Sequence, residues 1–273
     1  MSSLLGAQEI REIADRLDLH PTKKLGQNFV IDANTCRKIV KVAEVKPGDV
    51  ALEIGPGLGS LTLALLEVAS HVIAIEVDHR LASELPVTIE RHGFSKTALT
   101  LIHRDALEIE QLPLAPNVLV ANLPYNISVP VLLRFLELFP SITSGVVMVQ
   151  SEVAERLAAK PGNKEYGSPS AKAAWWADLH LAGSVSRSIF WPVPNVDSSL
   201  VAFTRHAPLG DENLRARTFA LIDAAFGKRR KMIRSALSDY LDEEAIARAG
   251  IDPSLRGEVL TVLDFMALAR EVR

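Results

Sequence analysis

The sequence has little of several features, and each shortage excludes a class of protein. It contains one cysteine, Cys36, so we expect a reducing compartment and neither a disulfide framework nor a metal site built on thiolates. Its formal net charge is −3, so contact with nucleic acid would need a local basic patch. No apolar run approaches the roughly 20 residues that cross a bilayer. The first 17 residues predict an amphipathic helix and not a signal peptide. We therefore expect a cytoplasmic globular protein without membrane contact, and no metal site.

What the sequence does contain is a regular alternation of apolar runs and helical patterns. The apolar runs predict buried strands at 50–54, 72–76, 99–103, 118–121 and 145–149. Helical spacing lies between them, at 58–68, 79–90 and 129–138. The alternation predicts an α/β fold, a parallel sheet with helices on both faces. Runs at 178–186 and 198–204 predict further strands that close the sheet as an antiparallel pair.

The later part of the chain changes character. The polar stretch 158–170 contains two prolines and two glycines and predicts a long exposed loop. The segment 205–213 predicts a linker, and residues 214–273 have helical patterns and no strand pattern. We predict two domains, a Rossmann-like domain over 1–207 and a small all-α domain over 208–273.

A glycine-rich turn follows the first predicted strand of the sheet, and acidic residues follow the next two. Gly55, Gly57 and Gly59 stand between a strand and a helix, where glycine allows a ligand to approach the backbone closely. Glu76 ends the second strand, where a carboxylate can accept bonds from ribose hydroxyls. Asp105 follows the third strand and can accept a bond from an adenine amino group. Each position also has a structural alternative. The glycines could form a plain tight turn, Glu76 could be a solvated acid, and Asp105 could be a helix N-cap.

Together these positions favour a cofactor that contains adenosine. A dinucleotide fingerprint would need glycine or alanine at the sixth position from Gly55, where this chain has Ser60. No residues typical of hydride transfer stand out. S-adenosylmethionine has no pyrophosphate, so it fits a glycine turn that need not follow that fingerprint.

The stretch Asn122-Leu123-Pro124-Tyr125 ends the fourth strand and indicates chemistry on an amine. The exocyclic nitrogen of adenine is a poor nucleophile, because its lone pair is delocalised into the ring. The side-chain oxygen of Asn122 and the carbonyl of Leu123 can accept its two hydrogens and favour a tetrahedral nitrogen. Pro124 fixes the backbone, and Tyr125 offers a flat face to an extruded base. A simple Asn-x-Pro turn would explain neither Tyr125 nor the cofactor positions upstream.

The sequence resembles the ribosomal RNA adenine dimethyltransferases, the kasugamycin-sensitivity family, and their relatives the erythromycin-resistance methylases. The resemblance covers nearly the whole chain and rests on the stretches LGQNF, EIGPGLGSLT, NLPYNIS, FWPVPNVDS and FGKRRKMIR. It implies a Rossmann-like methyltransferase sheet that binds S-adenosylmethionine through Gln27, Asn28, Val30, Gly55, Gly57, Glu76, Asp105, Ala106 and Asn122. It also implies that Phe190 stacks on the target adenine opposite Tyr125; a packed surface corner is the alternative for Phe190. Val193 and Asn195 depart from the proline and lysine that the family often has, which puts one phosphate contact in doubt.

A cluster of cations follows Gly227, which is expected to break or kink a helix. Four of the cations are consecutive, with no acid among them, which favours contact with RNA phosphates over a solvated helix face. The resemblance extends this to a path for RNA around the site, formed by Lys23, Lys24, Lys160, Lys164, Lys228, Arg229, Arg230, Lys231 and Arg234.

We therefore expect an enzyme that dimethylates the N6 amines of two adjacent adenines in the 3′-terminal hairpin loop of small-subunit rRNA. The resemblance supplies the substrate, which is naked RNA or a partly assembled subunit, and a monomer is expected. Three alternatives remain open: a methylase of large-subunit rRNA, an assembly or transcription factor that has lost the chemistry, and, least favoured, a nicotinamide oxidoreductase. The tail GIDPSLRGEVLTVLDF favours the small-subunit group over the first.

Overall fold

The computed structural model describes residues 4–19 and 28–272. A seven-stranded sheet dominates the fold. Its strands are β2 (Val50–Ile54), β3 (His71–Glu76), β4 (Leu99–His103), β5 (Val118–Asn122), β6 (Ser144–Gln150), β7 (Ala177–Val185) and β9 (Ser198–Arg205). Their order across the sheet is β4-β3-β2-β5-β6-β9-β7. A second, two-stranded sheet pairs β1 (Phe29–Val30) with β8 (Phe190–Trp191) in antiparallel fashion.

The helices follow the predicted alternation. Those in the first two thirds of the chain are α1 (Ala7–Arg16), α2 (Ala33–Val42), α3 (Ser60–Leu66), α4 (His79–Arg91), α5 (Ser128–Leu138), α6 (Ser151–Ala158) and α7 (Ser168–Ala173). The C-terminal part contains α8 (Glu212–Gly227), α9 (Ile233–Ala236), α10 (Glu243–Arg248) and α11 (Val262–Glu271). None of the helices in the described part of the chain is long and apolar enough to span a membrane.

The pairing of the strands explains why they are so apolar. Strands β2 to β6 run parallel to one another, and the central residues of all but the edge strand β4 are buried. Parallel strands covered by helices on both faces read as continuous apolar runs. Strand β9 pairs with β6 in the opposite direction, with Gln150 opposite Ser198. The α/β fold predicted from the sequence is therefore confirmed, as is the helical C-terminal region.

The chain divides into two compact units. One comprises Met1–Ala154 and Leu181–Thr204, and the other comprises Glu155–His180 and Arg205–Arg273. The second transition lies close to the boundary predicted near residue 207, but the unit with the C-terminal helices also takes in residues 155–180. The assignment of separate functional domains to 1–207 and 208–273 stays a prediction.

The predicted loop at 158–170 is shorter in the structure, where residues 159–167 connect α6 to α7. Residues 160 and 162–165 are exposed, as predicted, whereas Tyr166 is 2% exposed. Its hydroxyl donates to the carbonyl of Leu260 at 2.9 Å, and its ring packs edge-on against Phe226. The prediction of exposure was wrong for Tyr166, because its packing partners lie far along the chain.

Candidate active site

A cavity of about 220 Å³ lies at the carboxyl ends of β2, β3, β4 and β5. Open parallel sheets bind their ligands at this edge. Most of the predicted cofactor and substrate positions meet here: the cavity is lined by Asn28, Val30, Gly55, Gly57, Glu76, Asp105, Ala106, Asn122, Leu123, Pro124 and Tyr125, among others. Gln27 lies outside the described residues, as do Lys23 and Lys24.

The glycine turn between β2 and α3 closes tightly around the end of β3. Gly57 has φ +58°, which a residue with a side chain rarely adopts, and an added Cβ would lie 3.1 Å from Cδ1 of Phe29. Its N–H donates to Oε2 of Glu76 at 3.1 Å. The turn therefore needs glycine for its backbone conformation and for the close approach of the Phe29 ring.

Glu76 is fixed at the end of β3 with both oxygens oriented. It is 6% exposed, and its Oε1 accepts the backbone N–H groups of Val77 and Asp78, both at 2.9 Å. Burial raises the pKa of Glu76, while the N–H donors oppose that rise. A carboxylate oxygen can accept more than one hydrogen bond, so the side chain retains capacity for the hydroxyls of a ribose.

Asp105 is a helix N-cap, which was the alternative considered from the sequence, and it also lines the cavity. Its Oδ1 accepts the N–H of Leu107 at 2.8 Å and so caps the short 3₁₀ helix Ala106–Glu108. The cap uses one carboxylate oxygen. The other can accept a bond from an adenine amino group, and Ala106 supplies apolar wall next to it.

Two hydrogen-bond acceptors at the end of β5 have no partner among the described residues. The Nδ2 of Asn122 donates to the carbonyl of Asn28 at 3.3 Å, while its Oδ1 is buried without a donor in the described part of the chain. Leu123 donates its N–H to Met148 at 3.1 Å, and none of the described residues donates to its carbonyl oxygen. A buried acceptor without a partner is costly. An amine with two hydrogens would satisfy both.

Tyr125 follows on the same wall of the cavity and is half-buried. Its hydroxyl lies 2.9 Å from Oγ of Ser198 on β9. Burial raises the pKa of the Tyr125 phenol, and the hydrogen bond with Ser198 opposes that rise. The phenol is therefore neutral at physiological pH, and its ring can act as a stacking surface.

Phe190 does not line this cavity. It is 1% exposed in β8, where it is paired with Val30 of β1. Its neighbour Trp191 is partly exposed and stacks on Phe29, with ring centroids 6.3 Å apart. A base could stack on Phe190 only after that side chain became accessible, so its role against the target adenine stays a prediction.

The basic cluster differs from the pattern expected from the sequence. Helix α8 ends at Gly227, as expected, and Lys228–Lys231 form a turn after it. The cations do have acidic partners, which come from distant segments: Asp239 lies 3.3 Å from Lys228, Glu258 3.0 Å from Arg229 and Glu243 3.6 Å from Arg234. Arg229 also donates to the carbonyl of Lys164 at 2.6 Å.

Two cations of the turn differ from the rest. Arg230 and Lys231 are exposed and form no ion pair within the described residues. Lys160 and Lys164 are exposed in the same compact unit. Three members of the cluster therefore have an acidic partner that the local sequence does not reveal, and the RNA-binding role of the whole set stays a prediction.

The sequence analysis missed two polar residues at the site. Glu53 ends in the cavity wall beside the glycine turn, is 1% exposed, and has a buried Oε2 without a partner among the described residues. The signal was present, since an acid inside an apolar strand is unusual. Ser198 carried no such signal, because a serine at the start of a strand is common.

The fold, with its cavity at the carboxyl ends of the parallel strands, defines a Rossmann-like methyltransferase. A family model described as ribosomal RNA adenine dimethylase matches residues 19–272. Ribosomal RNA small subunit methyltransferase A from Leifsonia xyli subsp. xyli is 57% identical over 97% of this chain and 98% of its own length. Its counterpart from Kineococcus radiotolerans is 54% identical over 98% of this chain and 92% of its own length.

Solved structures give the same result. A dimethyladenosine transferase from Plasmodium falciparum superposes with a TM-score of 0.75 at 25% identity, covering 87% of this chain and 94% of that one. The 23S rRNA methyltransferase ErmE superposes with a TM-score of 0.69 at 25% identity, covering 90% of this chain and 99% of that one. The chain belongs to the ribosomal RNA adenine dimethylase family. It is a methyltransferase that acts on adenine in rRNA, and S-adenosylmethionine is its methyl donor.

Proposed function

We propose that this enzyme dimethylates the N6 amines of two adjacent adenines in the 3′-terminal hairpin loop of small-subunit rRNA during ribosome biogenesis. The names of the relatives from Leifsonia xyli subsp. xyli and Kineococcus radiotolerans support the small subunit as the substrate. The observation that supports the chemistry is the pair of acceptors without partners, Oδ1 of Asn122 and the carbonyl of Leu123, next to the ring of Tyr125.

The residues of the cavity fit the cofactor by their chemistry. Glu76 offers carboxylate oxygens to the ribose, Asp105 offers one to the adenine amino group, and the glycine turn leaves room for close approach of the backbone. We assign the cofactor site to Gln27, Asn28, Val30, Gly55, Gly57, Glu76, Asp105, Ala106 and Asn122. When bound there, S-adenosylmethionine supplies an electrophilic methyl group.

The protein's contribution to the reaction is positioning and directed dipoles. Asn122 and Leu123 accept the two amine hydrogens, which favours a tetrahedral nitrogen whose lone pair is free to attack. Pro124 and the ring of Tyr125 hold the base in the plane that this geometry needs. No general base is required before attack, because the amine is neutral. Once methylated, the nitrogen is cationic and strongly acidic, so it releases its proton to water. A second transfer to the same nitrogen requires the pocket to accept a monomethylated amine.

We further propose a cytoplasmic monomer that acts on small-subunit rRNA, either as naked RNA or in a partly assembled subunit. The exposed cations of the C-terminal unit, above all Arg230 and Lys231, are available to phosphates. Lys23, Lys24, Lys160, Lys164, Lys228, Arg229 and Arg234 complete the proposed RNA contacts.

Mass spectrometry of nucleosides tests the proposal directly. Small subunits from cells that lack the modification are incubated with the protein and S-adenosylmethionine, and the rRNA is then cleaved into fragments. Dimethyladenosine at two adjacent positions of the 3′ hairpin is the expected result. Cofactor binding without any transfer to the small-subunit rRNA would refute the proposed substrate.

A further inference from the structure

The hydroxyl of Tyr125 meets a buried serine that is remote in sequence. Ser198 is 0% exposed, and its Oγ lies 2.9 Å from the phenol oxygen. Ser198 is the first residue of β9, which runs antiparallel to β6, so its start lies at the edge where the parallel strands end. Strand β9 therefore places a hydroxyl against the side chain of Tyr125, which lines the cavity.

The backbone of Tyr125 is held from the other side. The N–H of Leu123 bonds to Met148 on β6 at 3.1 Å, and the N–H of Ile127 bonds back to Pro124 at 3.2 Å. These bonds fix the position of the main chain, but a phenol on a fixed backbone still rotates about its two side-chain torsions. The bond to Ser198 is the contact that sets where the tip of the ring lies.

The position of this ring matters for the reaction, because a base that stacks on the ring takes its orientation from it. The amine must point its hydrogens at two fixed acceptors and its lone pair at the methyl group. A misplacement of about 1 Å can reduce the rate of such a reaction by about 100-fold. A ring that is free to tilt would let the base tilt with it.

We propose that Ser198 is a positioning residue of the reaction, which anchors the hydroxyl of Tyr125 and so fixes the plane in which the target adenine is held. This inference rests on the proposed function, since it assumes that an adenine stacks on Tyr125. The anchor works through a neutral phenol, and the raised pKa of Tyr125 keeps the phenol protonated through the physiological range. Ser198 takes no part in proton transfer and does not contact the cofactor.

A double-mutant cycle tests the anchor, with Ser198→Ala, Tyr125→Phe and the combined variant. Each single change removes the same hydrogen bond and leaves the aromatic ring in place. We expect each to lower kcat for methyl transfer by about 10-fold, with the affinity for S-adenosylmethionine within twofold of the wild-type chain. The combined variant should be no slower than either single one, because the bond is already lost. A larger share of monomethyladenosine is also expected, since each finished product needs two well-placed transfers.

The matched control is Ser199→Ala. Ser199 is the next residue of β9 and also forms a hydroxyl–hydroxyl bond, to Ser151 at 2.9 Å, but Ser151 does not line the cavity, whereas Tyr125 does. This variant should transfer methyl groups within twofold of the wild-type rate. Thermal melts of all variants separate a loss of folding from a loss of positioning.

The possible outcomes are distinct. The proposed role of Ser198 would be overturned if Tyr125→Phe transferred methyl groups at the wild-type rate. It would also be overturned if the effects of the two single changes multiplied in the combined variant. If Ser198→Ala fails to fold, Tyr125→Phe still decides, because it leaves β9 unchanged. If the wild-type chain binds the cofactor but transfers no methyl group to small-subunit adenines, the proposed function is refuted, and so is the positioning role of Ser198 that rests on it.

Discussion

At the scale of single residues, Asn122 should separate chemistry from cofactor binding. Its Oδ1 is a buried acceptor without a partner among the described residues, and its Nδ2 bonds to Asn28. Asn122→Ala removes the acceptor for the amine, and loss of one directed dipole typically costs about 100- to 1,000-fold in kcat. We expect transfer to fall below detection in a nucleoside assay, while calorimetry still detects weakened cofactor binding.

Glu76→Ala is the contrasting variant. It removes the carboxylate assigned to the ribose, together with the acceptor for Gly57, so the affinity for S-adenosylmethionine should fall. Full methyl transfer by Asn122→Ala would exclude the role assigned to the amide. Unchanged cofactor affinity in Glu76→Ala would remove Glu76 from the ribose site.

Glu53 should make the stability of the protein depend on pH. Burial raises its pKa to about 8; Thr62 opposes the rise and the nearby charge of Glu76 adds to it. The unfolded carboxyl ionises near its ordinary value, so between about pH 4.5 and 8 the folded state holds a proton that the unfolded state has lost. The free energy of unfolding therefore falls as pH rises through this window and is constant, for this group, above it.

Glu53→Gln removes that loss, because its amide does not ionise. Relative to the wild-type chain, the variant should gain about 3–5 kcal/mol in free energy of unfolding between pH 5 and 9. Denaturant titrations at several pH values measure the difference and cancel the contributions of other groups. Parallel stability curves for the two proteins would show that Glu53 is ionised in the folded state or is equally protonated in both states.

At the scale of elements, the start of α3 depends on Gly59. This residue has φ +98° in the turn before a helix whose seven residues are all buried, and an added Cβ would lie 2.8 Å from the end of the Leu85 side chain. The leucine tip can move, so the backbone conformation sets most of the cost. Gly59→Ala should lower the free energy of unfolding by about 1–3 kcal/mol, measured by denaturant unfolding.

Gly227→Ala provides the control for that change. Gly227 is the last residue of α8, does not have a positive φ, and an added Cβ would meet nothing within 4 Å. Alanine there should stabilise the protein by about 0.5–1 kcal/mol, because it reduces the freedom of the unfolded chain. Equal effects of the two substitutions would mean that the left-handed turn at Gly59 carries no special cost.

The elements also show what the sequence could predict and why the rest was hidden. The parallel strands could be predicted because a strand buried on both faces is a continuous apolar run in the sequence. Tyr166 was misjudged because its polar neighbours suggest a loop, whereas its hydroxyl partner lies 94 residues away. The Tyr125–Ser198 bond joins residues 73 apart and was not predicted. Contacts of that kind depend on the assembled fold, and a single sequence gives no local sign of them.

The same distinction applies within the candidate site. The glycine turn, Glu76, Asp105 and the NLPY stretch could be placed together because strand ends in a parallel sheet share one edge. The acids that pair with the basic turn could not, because they come from segments near residues 239, 243 and 258. Absence of acids from a short stretch of sequence therefore says little about which cations are free.

At the scale of the whole molecule, a protein of net charge −3 must bind a polyanion through local contacts. Within the turn Lys228–Lys231, we expect Arg230 and Lys231 to supply them, since they are exposed and form no ion pair with a described residue. Arg230→Ala and Lys231→Ala should each weaken RNA binding and reduce the slope of log affinity against log salt by about 1. Neither change should affect unfolding, because neither side chain supports the fold by an ion pair.

Arg229 and Lys96 complete the comparison. Arg229 pairs with Glu258 and donates to the carbonyl of Lys164, so Arg229→Ala should lower the stability of its unit as well as RNA affinity. Lys96 is an exposed cation already paired with Glu90 at 2.7 Å, and Lys96→Ala should leave the salt slope unchanged. Binding titrations at several salt concentrations, with melting curves beside them, give both quantities. If Arg230→Ala and Lys231→Ala behave like Lys96→Ala, RNA does not contact this turn and the proposed path must follow other cations.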